Sequence, residues 1–224
     1  MIRLYRCDKT VLRLSHGADE FVQAYTTNTP EALNNAFVDL RGRIVAVCSQ
    51  YRRGPDEMLL IIEKSAEAPL FEHLKKYLDL TGASLVVLPW LVYFDLDGNE
   101  RPMPQDVVVP QSAGRLLLTQ TPRQAAVSEQ EFDRFRLLHR IPLQGKDYGD
   151  ELLLNVFGED HVSYTKGCYL GQEIIARVHH RGKPPKKLVV RSEKECTQDE
   201  SRRLTSVAAN PDTGEKMGFL FVEK

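Results

Sequence analysis

The four cysteines, Cys7, Cys48, Cys168 and Cys196, form no C-x-x-C pair. That spacing excludes a zinc ribbon, and thiols so scattered do not build a disulfide framework. Long apolar runs are missing too. "LLII" and "SLVVLPWLVYF" are the longest, well short of the roughly 18–20 residues a membrane helix needs. Nor does one sign of charge dominate: 30 Lys plus Arg stand against 31 Asp plus Glu, a formal net charge of -1, so no global field gathers nucleic acid or an anionic membrane. No G-x-G-x-x-G follows a strand and no G-x-x-x-x-G-K-[ST] occurs, which removes dinucleotide and P-loop chemistry. The opening "MIRLYRCDKTVLRL" is charged throughout and lacks a signal-peptide core, so a cytoplasmic protein without membrane contact is expected. With 42% hydrophobic residues over 224 positions, the chain can bury the core of one or two domains.

Strand and helix patterns are interspersed along the chain. Arg3 to Leu14 reads as a strand, and Ser15 to Asp19 as a turn and N-cap before a short helix that carries Phe21, Val22 and Tyr25 on one face. Ala36 to Leu40, Ile44 to Tyr51 and Met58 to Ile62 read as a β-meander, turning at Arg41-Gly42 and Gly54-Pro55. Between Pro69 and Leu80, the residues Leu70, Phe71, Leu74, Tyr77 and Leu78 recur at helical spacing. "DLDGNE" offers oxygens from Asp95, Asp97, Asn99 and Glu100. Its glycine is misplaced for an EF-hand and no helices flank it, so a hairpin turn is expected there and no metal site. Ser128 with Glu131 predicts a capping box for a helix that Pro142 ends. Without a regular βαβ rhythm, the class expected is α+β. His16, His73, His139 and His161 are scattered, and each is expected to be a polar surface or core residue.

Chemistry concentrates in "KGCYLGQE", Lys166 to Glu173. Gly167 and Gly171 permit a sharp bend around Cys168 and Tyr169. "QEIIARVHH" then has helical spacing, with Glu173 and Arg177 four apart and Gly182 as the stop. Cys168 would sit just ahead of a helix N-terminus near Lys166, and both features favour a thiolate. The spacing fits a buried cysteine in a tight loop equally well. Downstream, Arg177, His179, His180, Arg181, Lys183, Lys186 and Lys187 form a cationic cluster that could hold a polyglutamate tail or tRNA phosphates. A solvated, cation-rich helix C-terminus would look the same.

The stretch "KGCYLGQEIIAR" resembles the signature of the YgfZ family, folate-binding proteins related to the aminomethyltransferase (T-protein) of the glycine cleavage system. Weaker likenesses run through "GADEFVQAYTTN", "DLRGRIVAVCSQYRRGPDEMLLII" and "RIPLQGKD". The resemblance implies an α+β, aminomethyltransferase-like folate-binding fold. Residues 1–185 would form the core, with a ferredoxin-like subdomain at about 50–105, and 186–224 a short C-terminal β segment, a reduced barrel. It further implies tetrahydrofolate or a one-carbon derivative as cofactor, and iron-sulfur enzymes, tRNA-modifying ones included, as clients. Cys168 becomes the functional thiol with Lys166 beside it. Asn28, Gly167, Tyr169, Gly171, Gln172, Glu173 and Arg177 become the cofactor-binding set, and no metal ligands are implied. The alternative is an aminomethyl or one-carbon transferase. Two departures bear on it: the transferases carry an acid where this chain has Leu138, and an arginine where it has Gln172. A pterin edge that lost its carboxylate would leave N–H donors unpaired, at roughly 1–3 kcal/mol.

Overall fold

The first predicted strand breaks at Asp8, and its halves enter different sheets. β1 (Leu4–Cys7) joins one and β2 (Lys9–Ser15) another in the computed structural model, which describes residues 2–182 and 184–223. The predicted meander follows as β3 (Asn34–Val38), β4 (Ile44–Gly54) and β5 (Glu57–Glu63). With β6 (Ser84–Leu88) these form an antiparallel five-stranded sheet in the order β3-β4-β5-β2-β6. A second sheet has the order β1-β7-β9-β8, from β7 (Leu91–Asp95), β8 (Val107–Pro110) and β9 (Arg115–Thr119).

The five-stranded sheet is apolar on both faces because both are covered. On one side, α1 (Ala18–Tyr25) and α2 (Glu67–Thr81) press Phe21, Val22, Leu70 and Leu74 onto Leu12, Leu14, Leu60 and Ile62. On the other, Val11, Leu59 and Ile61 meet the second sheet together with Phe132 and Phe135 of α3 (Glu129–His139). A third cluster joins Val38 and Ile44, at the end of the β3–β4 hairpin, to Leu153 of α4 (Leu153–Val156), Ile175 of α5 (Gln172–His180), Leu188 and Phe219. The last two belong to β10 (Lys186–Ser192) and β12 (Lys216–Glu223), which with β11 (Thr205–Ala209) form an antiparallel sheet in the order β10-β12-β11. Among the described residues this sheet does not close into a barrel. No described helix is long and apolar enough to cross a membrane.

Three local expectations resolve differently. The N-cap of α1 is Gly17, with φ of 78° and no capping side chain of its own. Asp56, on the β4–β5 turn, substitutes by accepting the Gly17 and Ala18 N–H groups at 2.8 Å each. Only half of the α3 capping box forms. Ser128 Oγ accepts the Glu131 N–H at 3.2 Å, while the Glu131 carboxylate turns to Arg3 at 3.0 Å. In "DLDGNE", Asp95 is fully buried, paired with Arg115 at 2.9 Å, and accepts the N–H groups of Asn99 and Glu100. Its oxygens are spent on closing a turn that is not the expected hairpin, since β7 pairs with β1 and β9 and not with β8, the next strand.

Candidate functional site

Lys166 to Glu173 does not run free on the surface. The Leu170 N–H donates to Ala24 O at 3.0 Å, which ties the segment to the end of α1. Gly171, at φ of 82°, lies so close to the β3–β4 turn that a Cβ would stand 2.4 Å from Asp39 O and 2.8 Å from Val38 Cγ2. No other residue fits there. Tyr169 is buried in the third core cluster, and burial holds its phenol well above the usual range. Its N–H is 3.4 Å from Gln172 Oε1, which anchors the first turn of α5.

Between these fixed points Cys168 is open to solvent, whereas Cys7 and Cys48 are buried and Cys196 is half-buried. The buried-cysteine alternative is therefore overturned for position 168. All four thiols are free. Lys166 does not serve the sulfur. Its Nζ lies 2.7 Å from Asn28 O, 2.8 Å from Thr26 O and 3.3 Å from Val22 O, so three carbonyls take its three protons. It caps the C-terminal end of α1, and its Nζ lies 5.1 Å from the centre of the Tyr169 ring. Burial pulls its pKa down to about 8.

Asn28 is buried and also committed. Its Nδ2 donates to Asn34 O at 3.1 Å and Asp160 O at 3.2 Å, and its Oδ1 accepts the Thr29 N–H at 3.0 Å. Glu173 and Arg177 pair with each other on the solvent face of α5 at 2.5 Å. An exposed pair of this kind contributes about 0.3–0.5 kcal/mol. Elsewhere in the cationic cluster, Lys186 pairs with Glu151 at 2.7 Å and His179 stacks on Tyr164 at 3.8 Å. His180, Arg181 and Lys187 are exposed, and Lys183 lies outside the described residues.

A cavity of about 150 Å³ opens on the other side of the loop after Thr26, where the two larger sheets and the 140–161 segment meet. Its wall includes Asn34, Cys48, Glu63, Arg140, Tyr148 and Phe157, together with Asp160 and His161. None of residues 166 to 173 lines it. The predicted set divides in two. Lys166, Gly167, Cys168, Tyr169, Gly171, Gln172, Glu173 and Arg177 belong to the α5 entry, and Asn28 links that region to the back of the cavity. Sequence reasoning missed the cavity wall, including His161, which it placed among the scattered histidines. Asp56 is exposed, accepts N–H groups at the start of α1 and does not line this wall.

No protein-family profile matches the chain. The mitochondrial iron-sulfur cluster assembly factor IBA57 homologue of Neurospora crassa is 26% identical, over 77% of this chain and 49% of its own length. IBA57 of Mus musculus is 36% identical over 34% of this chain and 24% of its own. Over these stretches the chain is similar to the two assembly factors. It spans about half the length of the longer match. The fold is that of the aminomethyltransferase T of the glycine cleavage system: the Bartonella henselae crystal structure superposes with a TM-score of 0.76 at 14% identity, over 99% of this chain and 78% of that one. This agrees with the resemblance to the YgfZ family and with the expected α+β, aminomethyltransferase-like class.

Proposed function

We propose that the protein binds tetrahydrofolate or a one-carbon derivative in the central cavity. In this reading it supports assembly or repair of iron-sulfur enzymes, tRNA-modifying ones included, in the cytoplasm, with Cys168 as its functional thiol. The observation that carries the reading is the pairing of a partly open cavity for a small molecule with a solvent-open thiol. That thiol sits on a segment locked in place at Gly171 and Tyr169. A sulfur exposed in this way is accessible to a macromolecular client, and the cavity is not. The names of the similar assembly factors and the likeness to aminomethyltransferase T support the two halves of the reading separately. A tRNA or polyglutamate contact would rest on the exposed His180, Arg181 and Lys187. For the transferase alternative, position 138 is Leu and Asp56 does not line the cavity, so the carboxylates on its wall are Glu63 and Asp160 instead.

Two measurements test the proposal. Calorimetric titration with tetrahydrofolate should give saturable binding, and none at millimolar ligand would refute the folate half. Cys168→Ala should retain the wild-type Tm yet fail to complement a strain defective in iron-sulfur enzyme maturation. Full complementation by the variant would refute the thiol half.

A further inference from the structure

One polar group on the cavity wall is left unfinished by the protein. His161 is only 7% exposed, and its Nδ1 is buried without a directed hydrogen bond, although Asp160 Oδ2 stands 3.0 Å away. Buried polar atoms in native structures are nearly always paired, and an exception calls for a ligand or a reason. The ring is held firmly: it stacks on Phe157 at 4.0 Å and 28°. The backbone behind it is pinned as well, by Thr27 Oγ1 donating to His161 O at 2.6 Å and Asn28 Nδ2 donating to Asp160 O.

We propose that Asp160 and His161 form the hydrogen-bonding end of the cavity and take the polar edge of a planar, N–H-bearing heterocycle. The inference rests on the folate reading and specifies which wall meets the ring. Size supports a ring and no more: about 150 Å³ is roughly half the smallest volume usual for a small-molecule site. A conjugate longer than two fused rings must leave through the mouth. There the exposed Arg140 guanidinium is the charged group on offer. Phe157 supplies the stacking platform that fixes the plane of the histidine, and the Asp160 carboxylate accepts N–H donors from the ligand.

The test is calorimetric titration of the full chain with 5-formyltetrahydrofolate, comparing wild type, His161→Phe and Asp160→Asn, with the apo Tm of each. Phenylalanine keeps the stack on Phe157 and removes only nitrogens. Each variant should lose at least tenfold in affinity. The apo Tm of each variant shows whether the loss is one of binding or of folding, since His161→Phe also removes the 3.0 Å contact between Nδ1 and Asp160 Oδ2. Wild-type binding with equal affinity in both variants overturns the inference and leaves the folate reading standing. Absence of wild-type binding overturns the folate reading and the inference with it. Should His161→Phe be unstable, Asp160→Asn decides: a tenfold loss supports the assignment, and unchanged affinity overturns it.

Discussion

Two glycines four positions apart in "KGCYLGQE" have unequal roles. At Gly171 a methyl group would meet the Asp39 carbonyl at 2.4 Å with the backbone at φ of 82°, so Gly171→Ala combines a left-handed penalty with overpacking. Urea denaturation should show a loss of roughly 2–4 kcal/mol. At Gly167 a Cβ would meet nothing nearer than Gln23 Nε2 at 3.6 Å, and Gly167→Ala should cost about 0.5 kcal/mol or less. Similar losses for both would contradict the docking of the segment against the β3–β4 turn. Lys166 makes a prediction of opposite type. Its folded pKa is about 8, whereas an unfolded lysine titrates near 10.4, so from about pH 8 to 10.4 the unfolded chain retains a proton the folded one has released. Stability from this group therefore rises across that window. The stability difference between wild type and Lys166→Met should shift toward wild type from pH 7 to pH 9.5. A difference independent of pH would show that burial does not depress this lysine.

Among the elements, α1 depends on a residue from a turn that lies far away in sequence. Asp56 accepts two N–H groups at the start of α1, and these bonds, with the Ala18 N–H first, hold its carboxyl below the usual range. A depressed carboxyl stabilises above its unfolded pKa and loses that effect as pH falls through the folded value. Asp56→Ala should lower the Tm at pH 7 and speed amide exchange in the first turn of α1, with a smaller effect in acid once the carboxyl is protonated in the folded protein. An unchanged exchange rate at Phe21 would exclude the cap. At the other end of α1, Lys166 satisfies the last carbonyls. The helix that leads to the cavity loop is thus finished at both ends by side chains from elsewhere in the chain.

Across the whole molecule, Arg136 is the hub. It is fully buried, pairs with Asp147 at 2.7 Å and Asp133 at 2.5 Å, and donates to Ser206 Oγ at 2.6 Å on the C-terminal sheet. Ser206 in turn bonds Asp147, as does Thr205 at 2.8 Å. Asp133 still pairs with Arg136 when Asp147 loses its charge, so Asp147→Asn should cost about 1–3 kcal/mol in urea denaturation, from the weakened charged hydrogen bonds to Arg136, Thr205 and Ser206. The C-terminal sheet should detach before the rest unfolds. A loss under about 1 kcal/mol would mean the pair is dispensable.

Local patterning was enough to reveal most strands, the helices α2, α3 and α5, and the segment around Cys168. Periodicity of apolar side chains and glycine punctuation act over a few residues, and both survive in any sequence that folds this way. Tertiary structure alone decided the rest. The split of the first strand at Asp8, the Asp56 cap, the turning of Lys166 toward α1 and the cavity wall at Asp160 and His161 all join residues 38 to 144 positions apart. Such pairings leave no periodic trace, because hydrogen-bond geometry depends on where chain segments meet and not on their spacing along the chain.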